Sequence, residues 1–173
     1  SAVPVIDAER IAVCLLTSGS TGAPQPHAKS WRALTVNIGS EAERLAQMTS
    51  RPSLHGMTIV ATVPAQHSYG FESTFLIALH GGCQFAAGKP FYPQDIVAAL
   101  QAVPRPRMLV TTPYHLAALL ASDVAWPALD TCLSATAPLG TELASTVEAR
   151  SGAPVHEMYG STESGQLATR RTT

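Results

Sequence analysis

The sequence predicts an α/β fold in which a mostly parallel sheet has helices on both faces. Short apolar runs alternate along the chain with stretches of helical periodicity, as expected of repeated strand–helix–strand units. Each run is apolar at successive positions, which is typical of strands that are covered on both faces. The six predicted strands are residues 11–16, 57–62, 83–86, 108–111, 131–135 and 155–159.

The stretches between these runs have apolar residues three or four positions apart, so one face of each helix would pack on the sheet. Prolines mark many of the boundaries. The predicted apolar faces are formed by Leu34, Ile38 and Leu45, by Ile96, Val97 and Leu100, by Leu116, Leu119 and Leu120, and by Leu143 and Val147. No repeat or linker interrupts the pattern, and the 173 residues therefore predict one α/β domain.

The composition narrows the possible partners. Hydrophobic residues make up 46% of the chain, enough for a sizeable core, but charged residues make up only 13%, about half the usual share of roughly 25%. We therefore expect part of the surface to contact more protein. A net charge of −1 argues against nucleic-acid binding, and no apolar stretch approaches the length of a membrane span.

The three cysteines are far apart and each stands in an apolar run, at Cys14, Cys83 and Cys132. This odd number without a Cys-x-x-Cys pair predicts reduced thiols in the core of a cytoplasmic protein.

A loop rich in hydroxyl groups and glycine follows the first predicted strand. Glycine allows a backbone that points several N–H groups inward, and hydroxyl groups add donors, so such a loop suits a polyphosphate. It is not a Walker A loop, because no lysine follows the second glycine. Composition alone leaves an ordinary surface loop equally open. The candidate phosphate-binding residues are Thr17, Ser18, Gly19, Ser20, Thr21 and Gly22.

The order Thr-Ser-Gly-Ser-Thr-Gly-Ala-Pro, from Thr17 to Pro24, resembles the signature loop of the adenylate-forming superfamily, which includes acyl-CoA synthetases and aryl-CoA ligases. The resemblance implies that the loop wraps the β- and γ-phosphates of ATP. Gln25 departs from the family pattern, which has lysine directly after the proline. Lys29 is a candidate substitute, although a solvated surface lysine is the simpler interpretation.

His67 follows the second predicted strand in the sequence Pro-Ala-Gln-His-Ser-Tyr-Gly. A lone histidine near a helix start is usually structural. The spacing, however, is similar to the second motif of the same superfamily, and the resemblance implies that His67 lies near the reacting carboxylate. An imidazole can donate a hydrogen bond there.

The last predicted strand ends in Tyr-Gly-Ser-Thr-Glu, at Tyr159, Gly160, Ser161, Thr162 and Glu163. These residues alone could begin a helix, but they resemble another signature of the superfamily. The resemblance implies that Tyr159 lies against the base or ribose, that Thr162 contacts the α-phosphate and that Glu163 binds Mg²⁺, a cation that prefers oxygen ligands.

The predicted strand before it leads into Ala135, Thr136 and Ala137, and the resemblance implies that their small side chains let adenine approach the backbone.

The resemblance implies a ligase that uses ATP and Mg²⁺ to convert an acyl or aryl carboxylic acid to its adenylate. The acyl group then passes to a thiol of coenzyme A or of phosphopantetheine on an acyl carrier protein. Family members continue beyond the Tyr-Gly-Ser-Thr-Glu motif with a ribose-binding aspartate, a hinge and a small domain bearing a catalytic lysine. We therefore expect the chain to be one subdomain of an acyl-CoA synthetase-like amino-terminal domain, dependent on the rest of its parent chain and inactive alone.

Two other hypotheses remain. A non-catalytic nucleotide-binding or interaction module derived from the same family would account for Gln25. A flavodoxin-like protein fits the strand–helix alternation but explains none of the motifs.

Overall fold

The computed structural model of the chain describes residues 5–17 and 24–173. The strands are β1 (Ile11–Thr17), β2 (Gln25–Ser30), β3 (Thr58–Ala61), β4 (Gln84–Phe85), β5 (Arg107–Thr111), β6 (Thr131–Ser134), β7 (Val155–Ser161) and β8 (Gly165–Arg171). The helices are α1 (Trp31–Met48), α2 (Ser68–Gly70), α3 (Ile77–Gly81), α4 (Pro93–Gln101), α5 (Pro113–Leu120) and α6 (Thr141–Ser151), and a π-helical stretch, Phe71–Leu76, joins α2 to α3.

Six strands form the main sheet in the order β4-β3-β5-β6-β7-β8, and every neighbouring pair except β7–β8 is parallel. This confirms the predicted α/β fold, and five of the six predicted strands lie in this sheet. Since the parallel strands run in one direction, the residues that follow β3, β5, β6 and β7 all emerge at the same edge.

Successive residues of the central strands face opposite layers, which confirms that helices cover both faces. Ile59 and Leu133 pack with the buried residues of α1, the π-helical stretch and α3. Their neighbours Val60 and Cys132 pack with α4, α5 and α6. The predicted apolar helix faces supply much of this core, with Leu34, Ile38, Leu45, Ile96, Val97, Leu100, Leu116, Leu119 and Val147 all buried.

The prediction for residues 11–16 is wrong in one respect. They form β1, but β1 pairs only with β2, antiparallel, in a separate two-stranded sheet. Seven residues connect Thr17 to Gln25, whereas a parallel crossover needs a dozen or more. Most of β1 is consequently exposed, and Leu15 is its buried residue.

The expectation of three core thiols holds only for Cys132, which is buried, whereas Cys83 is half-buried and Cys14 is exposed on β1. All three are free thiols.

The turn after β7 sends the chain back as β8, an antiparallel edge strand that the sequence did not predict. Gly160 permits this close return, because a Cβ atom there would lie 2.4 Å from the carbonyl oxygen of Gly165. Within the described part of the chain, no helix combines the length and apolar character needed to cross a bilayer.

Candidate functional site

Polar side chains collect around a cavity of about 750 Å³ at the carboxyl edge of the main sheet. Its walls are formed by the loops after β3, β6 and β7, the beginning of the helical segment, and strands β7 and β8. Eight of the predicted site residues line it, namely His67, Ala135, Thr136, Ala137, Tyr159, Gly160, Ser161 and Thr162. The fold thus brings the second and third sequence motifs to one place.

The start of the helical segment approaches the β7–β8 turn. The hydroxyl oxygens of Ser68 and Thr162 lie 3.1 Å apart, within hydrogen-bond distance. Gly70 allows the helix to begin so close to the loop after β3, because a Cβ atom there would lie 2.1 Å from the carbonyl oxygen of Pro64. A residue with a side chain would therefore not fit between the helix and this loop.

His67 is exposed at the amino-terminal cap position of α2 and makes no side-chain capping bond. Its backbone N–H donates to the carbonyl oxygen of Pro64 at 3.0 Å, so the loop fixes its backbone while its ring lines the cavity. His67 and Thr136 also line a second cavity of about 450 Å³ between the loops after β3 and β5. The imidazole therefore lies between two adjoining spaces.

The loop after β6 is held in an uncommon conformation. Thr136 has a φ of 79°, in the left-handed region that few side chains adopt. Beyond it, the backbone N–H of Leu139 donates to Oε1 of Glu157 at 2.8 Å. Glu157 also accepts from Nε of Arg170 at 2.7 Å. One carboxylate of β7 thereby ties this loop to β8.

Glu157 was missed by the sequence analysis, although a signal existed. It lies two residues before Tyr159 on β7, and residues two apart in a strand face the same side of the sheet. An acidic residue within a predicted strand, on the same face as a predicted site residue, is a candidate for a structural role in that site. Tyr159 itself is 70% exposed, so its ring is free to contact a ligand.

The hairpin of β1 and β2 contacts the β7–β8 turn at Glu163. Nε2 of His27 lies 3.3 Å from Oε1 of Glu163, and Nζ of Lys29 donates to the backbone carbonyl oxygen of Glu163. Lys29 is therefore not a freely solvated surface lysine. His27, which the sequence did not single out, also lies 3.3 Å from the hydroxyl oxygen of Thr17.

The carboxylate of Glu163 is stabilised in its charged form. A hydrogen bond from the Ser161 side chain, the backbone N–H of Glu163 itself, and the charges of His27 and Lys29 lower its pKa. Glu163 is thus an exposed, ionised carboxylate. Among the described residues no three acidic, histidine or cysteine side chains cluster as a metal site. One or two protein carboxylates together with substrate phosphates commonly suffice for Mg²⁺, so Glu163 fits this role.

Five candidate phosphate-binding residues, Ser18, Gly19, Ser20, Thr21 and Gly22, lie outside the described residues. Thr17 ends β1, half-buried, with its hydroxyl group directed to His27 and to the carbonyl oxygen of Gln25. Of the two strands that flank these residues, β2 contacts Glu163 of the third motif through His27 and Lys29, and β1 is linked to it through the contact of Thr17 with His27.

Comparison with known proteins gives a consistent result. A sequence model of the family described as "AMP-binding enzyme" matches residues 1–173. The chain is 36% identical over 157 residues to a 4-coumarate–CoA ligase of Halorhodospira halophila, covering 89% of this chain and 36% of that protein. It is 30% identical over 155 residues to a 4-coumarate–CoA ligase of Rhodobacter capsulatus, covering 90% of this chain and 38% of that protein.

Among solved structures, ATP-bound MatB of Rhodopseudomonas palustris has a TM-score of 0.76 at 22% identity and covers 96% of this chain and 32% of its own. A benzoate CoA ligase of Burkholderia xenovorans has a TM-score of 0.74 at 20% identity, with coverages of 96% and 33%. These likenesses show the fold, and the chain spans little more than a third of the curated relatives it matches. Because the family match extends over the whole chain, the chain belongs to the AMP-binding enzymes.

Proposed function

We propose that this chain is the nucleotide-binding and acid-binding part of an ATP-dependent carboxylic acid ligase. The longer enzyme would activate an acyl or aryl carboxylate as its adenylate and transfer the acyl group to a thiol of coenzyme A or a carrier protein. The observation that carries the proposal is the convergence of His67, Tyr159 and Thr162 on one cavity at the sheet edge. The 173 residues alone would be inactive.

In this proposal the loop after β6 and the end of β7 bind the nucleoside. Ala135, Thr136 and Ala137 present small side chains and backbone to the cavity, which leaves room for a flat base. The exposed ring of Tyr159 would pack against the base or ribose. The bond between Glu157 and the backbone of Leu139 holds the far end of the loop in place.

The phosphates would lie beside the β7–β8 turn, and the candidate phosphate-binding residues 18–22 would supply their remaining donors. The hydroxyl group of Thr162 would donate to the α-phosphate as negative charge develops there, and His67 would orient the attacking carboxylate by a hydrogen bond. When bound at Glu163, Mg²⁺ supplies positive charge to the phosphate oxygens. Lys29, held at the same turn, adds a second positive charge beside the phosphates, in the part of the site where Gln25 supplies none.

The proposal includes a cytoplasmic location, where ATP and the thiol acceptor are present. The three free thiols, one of them exposed, suit a reducing compartment.

A second candidate function is a nucleotide-binding or interaction module without ligase activity. It is favoured by one observation, the neutral and exposed Gln25 at the start of β2, where a charged partner for phosphate is expected.

ATP–pyrophosphate exchange by the full-length enzyme separates the two candidates. With a panel of aliphatic and aryl acids, we expect exchange that depends on one class of acid and falls about 100-fold in Thr162→Ala. Thr146→Ala, at an exposed position of α6, is the matched control and should leave exchange unchanged. MgATP binding without exchange for any acid would support the interaction module instead.

A further inference from the structure

We propose that His27 is a positioning residue that holds the carboxylate of Glu163 in place for Mg²⁺ and couples it to Thr17, the first of the candidate phosphate-binding residues. The inference deepens the proposed function and rests on its nucleotide-binding part. It predicts that His27 contributes to the affinity for ATP only when Mg²⁺ is present.

One ring nitrogen of His27 lies between two groups of the candidate site. Its Nε2 atom is 3.3 Å from Oε1 of Glu163 and 3.3 Å from the hydroxyl oxygen of Thr17. An ionised carboxylate can only accept hydrogen bonds, so its attraction to this nitrogen requires an N–H group there. The same hydrogen can be shared with Thr17, whose own hydroxyl hydrogen is directed to the carbonyl oxygen of Gln25. His27 therefore links β2, on which it lies, to β1 and to the β7–β8 turn.

The hairpin holds Glu163 at two points. Residues two apart in a strand face the same side, and His27 and Lys29 are both half-buried with the exposed Ala28 between them. Lys29 holds the backbone carbonyl oxygen of Glu163, but a glutamate side chain has several rotatable bonds, so this contact alone does not fix the carboxylate. Ser161 also bonds to the carboxylate but belongs to the same β7–β8 hairpin. The contact with His27 ties the carboxylate to a different part of the fold.

The position of this carboxylate matters for ion binding. A carboxylate offers about four lone-pair sites, so the contact at Oε1 leaves sites for an ion. Mg²⁺ demands near-ideal octahedral geometry and is commonly bound by one or two carboxylates together with phosphate oxygens. Groups that orient a metal-binding side chain typically contribute about 10- to 100-fold to metal affinity. We therefore expect the loss of the His27 imidazole to misplace Glu163 and weaken the binding of MgATP.

A purely structural role for His27, in which it only fastens the hairpin to the turn, makes a different prediction. Its loss would then weaken ATP binding equally with and without Mg²⁺. A role in positioning Glu163 weakens binding only with the ion, and it disappears when the carboxylate is removed.

The test measures the affinity of the full-length enzyme for ATP by isothermal titration calorimetry, once with Mg²⁺ and once with EDTA. His27→Leu and His27→Gln form a matched pair, because the two new side chains are similar in size and only glutamine has an N–H donor. We expect His27→Leu to weaken ATP binding about 10-fold or more with Mg²⁺ and less than about twofold with EDTA. His27→Gln should retain most of the affinity. His55→Leu, at an exposed histidine in the loop before β3, is the control and should bind ATP as the wild type does.

A double variant shows whether His27 acts through Glu163. Glu163→Gln alone should weaken ATP binding with Mg²⁺. In that background His27→Leu should add little further loss, because the group that it positions has been removed. A full second loss would overturn the inference.

Unchanged binding in His27→Leu, equal weakening with Mg²⁺ and with EDTA, or equal losses in His27→Leu and His27→Gln would also overturn it. The ligase function is measured separately, by acid-dependent ATP–pyrophosphate exchange of the wild-type enzyme, and stands in each of these cases if exchange occurs. A folded wild-type enzyme that binds no ATP under either condition overturns both. If His27→Leu does not fold, His27→Ala takes its place in the same comparison.

Discussion

The hydroxyl oxygens of Ser68 and Thr162 lie 3.1 Å apart, although 94 positions separate the two residues in the sequence. The contact joins the helical segment after β3 to the turn between β7 and β8. Because these elements also carry His67 and Glu163, the contact between Ser68 and Thr162 fixes the position of the second motif relative to the third. Loss of either hydroxyl group should therefore affect the reaction more than the fold.

Ser68→Ala should lower kcat/KM for ATP–pyrophosphate exchange about 3- to 10-fold, since a hydrogen bond of this kind contributes roughly 0.5–1.5 kcal/mol. If Ser68 acts by positioning Thr162, the Ser68→Ala/Thr162→Ala double variant should lose less activity than the product of the single losses. Multiplicative losses, with the exposed Ser145→Ala variant unchanged, would show that the two hydroxyl groups act independently.

Lys29→Gln tests whether Lys29, on β2, binds the phosphates in place of the lysine that the family has at the position of Gln25. Lys29 donates to the carbonyl oxygen of Glu163, which places its charge at the turn that would contact ATP. We expect KM for MgATP to rise about 10-fold, because hydrogen bonds to charged groups contribute roughly 1.5–3 kcal/mol. Arg10→Gln, an exposed cation just before β1, is the control. A lower melting temperature with an unchanged KM would instead assign Lys29 a structural role.

Glu157 supports the nucleoside side of the cavity through the backbone of Leu139. Glu157→Leu leaves this buried N–H group, and Arg170, without their acceptor. We expect a loss of about 1–3 kcal/mol in the free energy of unfolding, together with a higher KM for ATP. Glu157→Gln retains an acceptor oxygen and should lose less of both. Denaturant unfolding of the full-length enzyme and ATP saturation curves provide the two measurements, and equal losses in the two variants would contradict the role assigned to the acceptor.

Strands that are buried on both faces were the ones that the sequence predicted best. Apolar runs predicted β3 and β5 to β7, because burial on both faces selects apolar residues at successive positions. The same rule misassigned β1, whose apolar side chains are largely exposed in this chain. It gave no signal for β8, where exposed and half-buried residues follow no regular alternation.

The candidate site residues likewise divide into those that a short sequence motif indicates and those that only distant contacts bring to the site. His67, Tyr159 and Thr162 were predicted because they lie at or after the ends of predicted strands and match known motifs, and all three line the cavity. His27 was not predicted, and the sequence offered Lys29 only as a candidate substitute for the missing lysine, because their contacts arise from the packing of a hairpin against a turn more than 130 positions away in the sequence. Glu72, a buried acidic residue that lines the cavity, was missed because it lies in a π-helical stretch, and no short sequence pattern predicts such a stretch.

Glu41 makes the stability of the fold depend on pH in an unusual direction. Both of its carboxyl oxygens are buried in α1 without a hydrogen-bond partner of ordinary geometry among the described residues. Burial raises its pKa from 4.5 to about 8, although Ser73 and Gln166 lie near and partly oppose the shift. Between these two values the folded state keeps the proton and the unfolded chain releases it. Because the folded state binds more protons, the free energy of unfolding falls as pH rises through this range.

Glu41→Gln should remove this contribution, because an amide does not titrate. From pH 5 to pH 8 the wild-type enzyme should lose on the order of 1 kcal/mol per pH unit relative to the variant. The difference between variants is the proper readout, because burial lowers the pKa of His115 and His156 and gives an opposite slope below about pH 6.5. Glu43→Gln, exposed on the same helix, should follow the wild type. The free energy of unfolding is measured by thermal unfolding across this pH range. An equal pH dependence for the wild type and Glu41→Gln would show that Glu41 ionises normally and that water or a ligand reaches it.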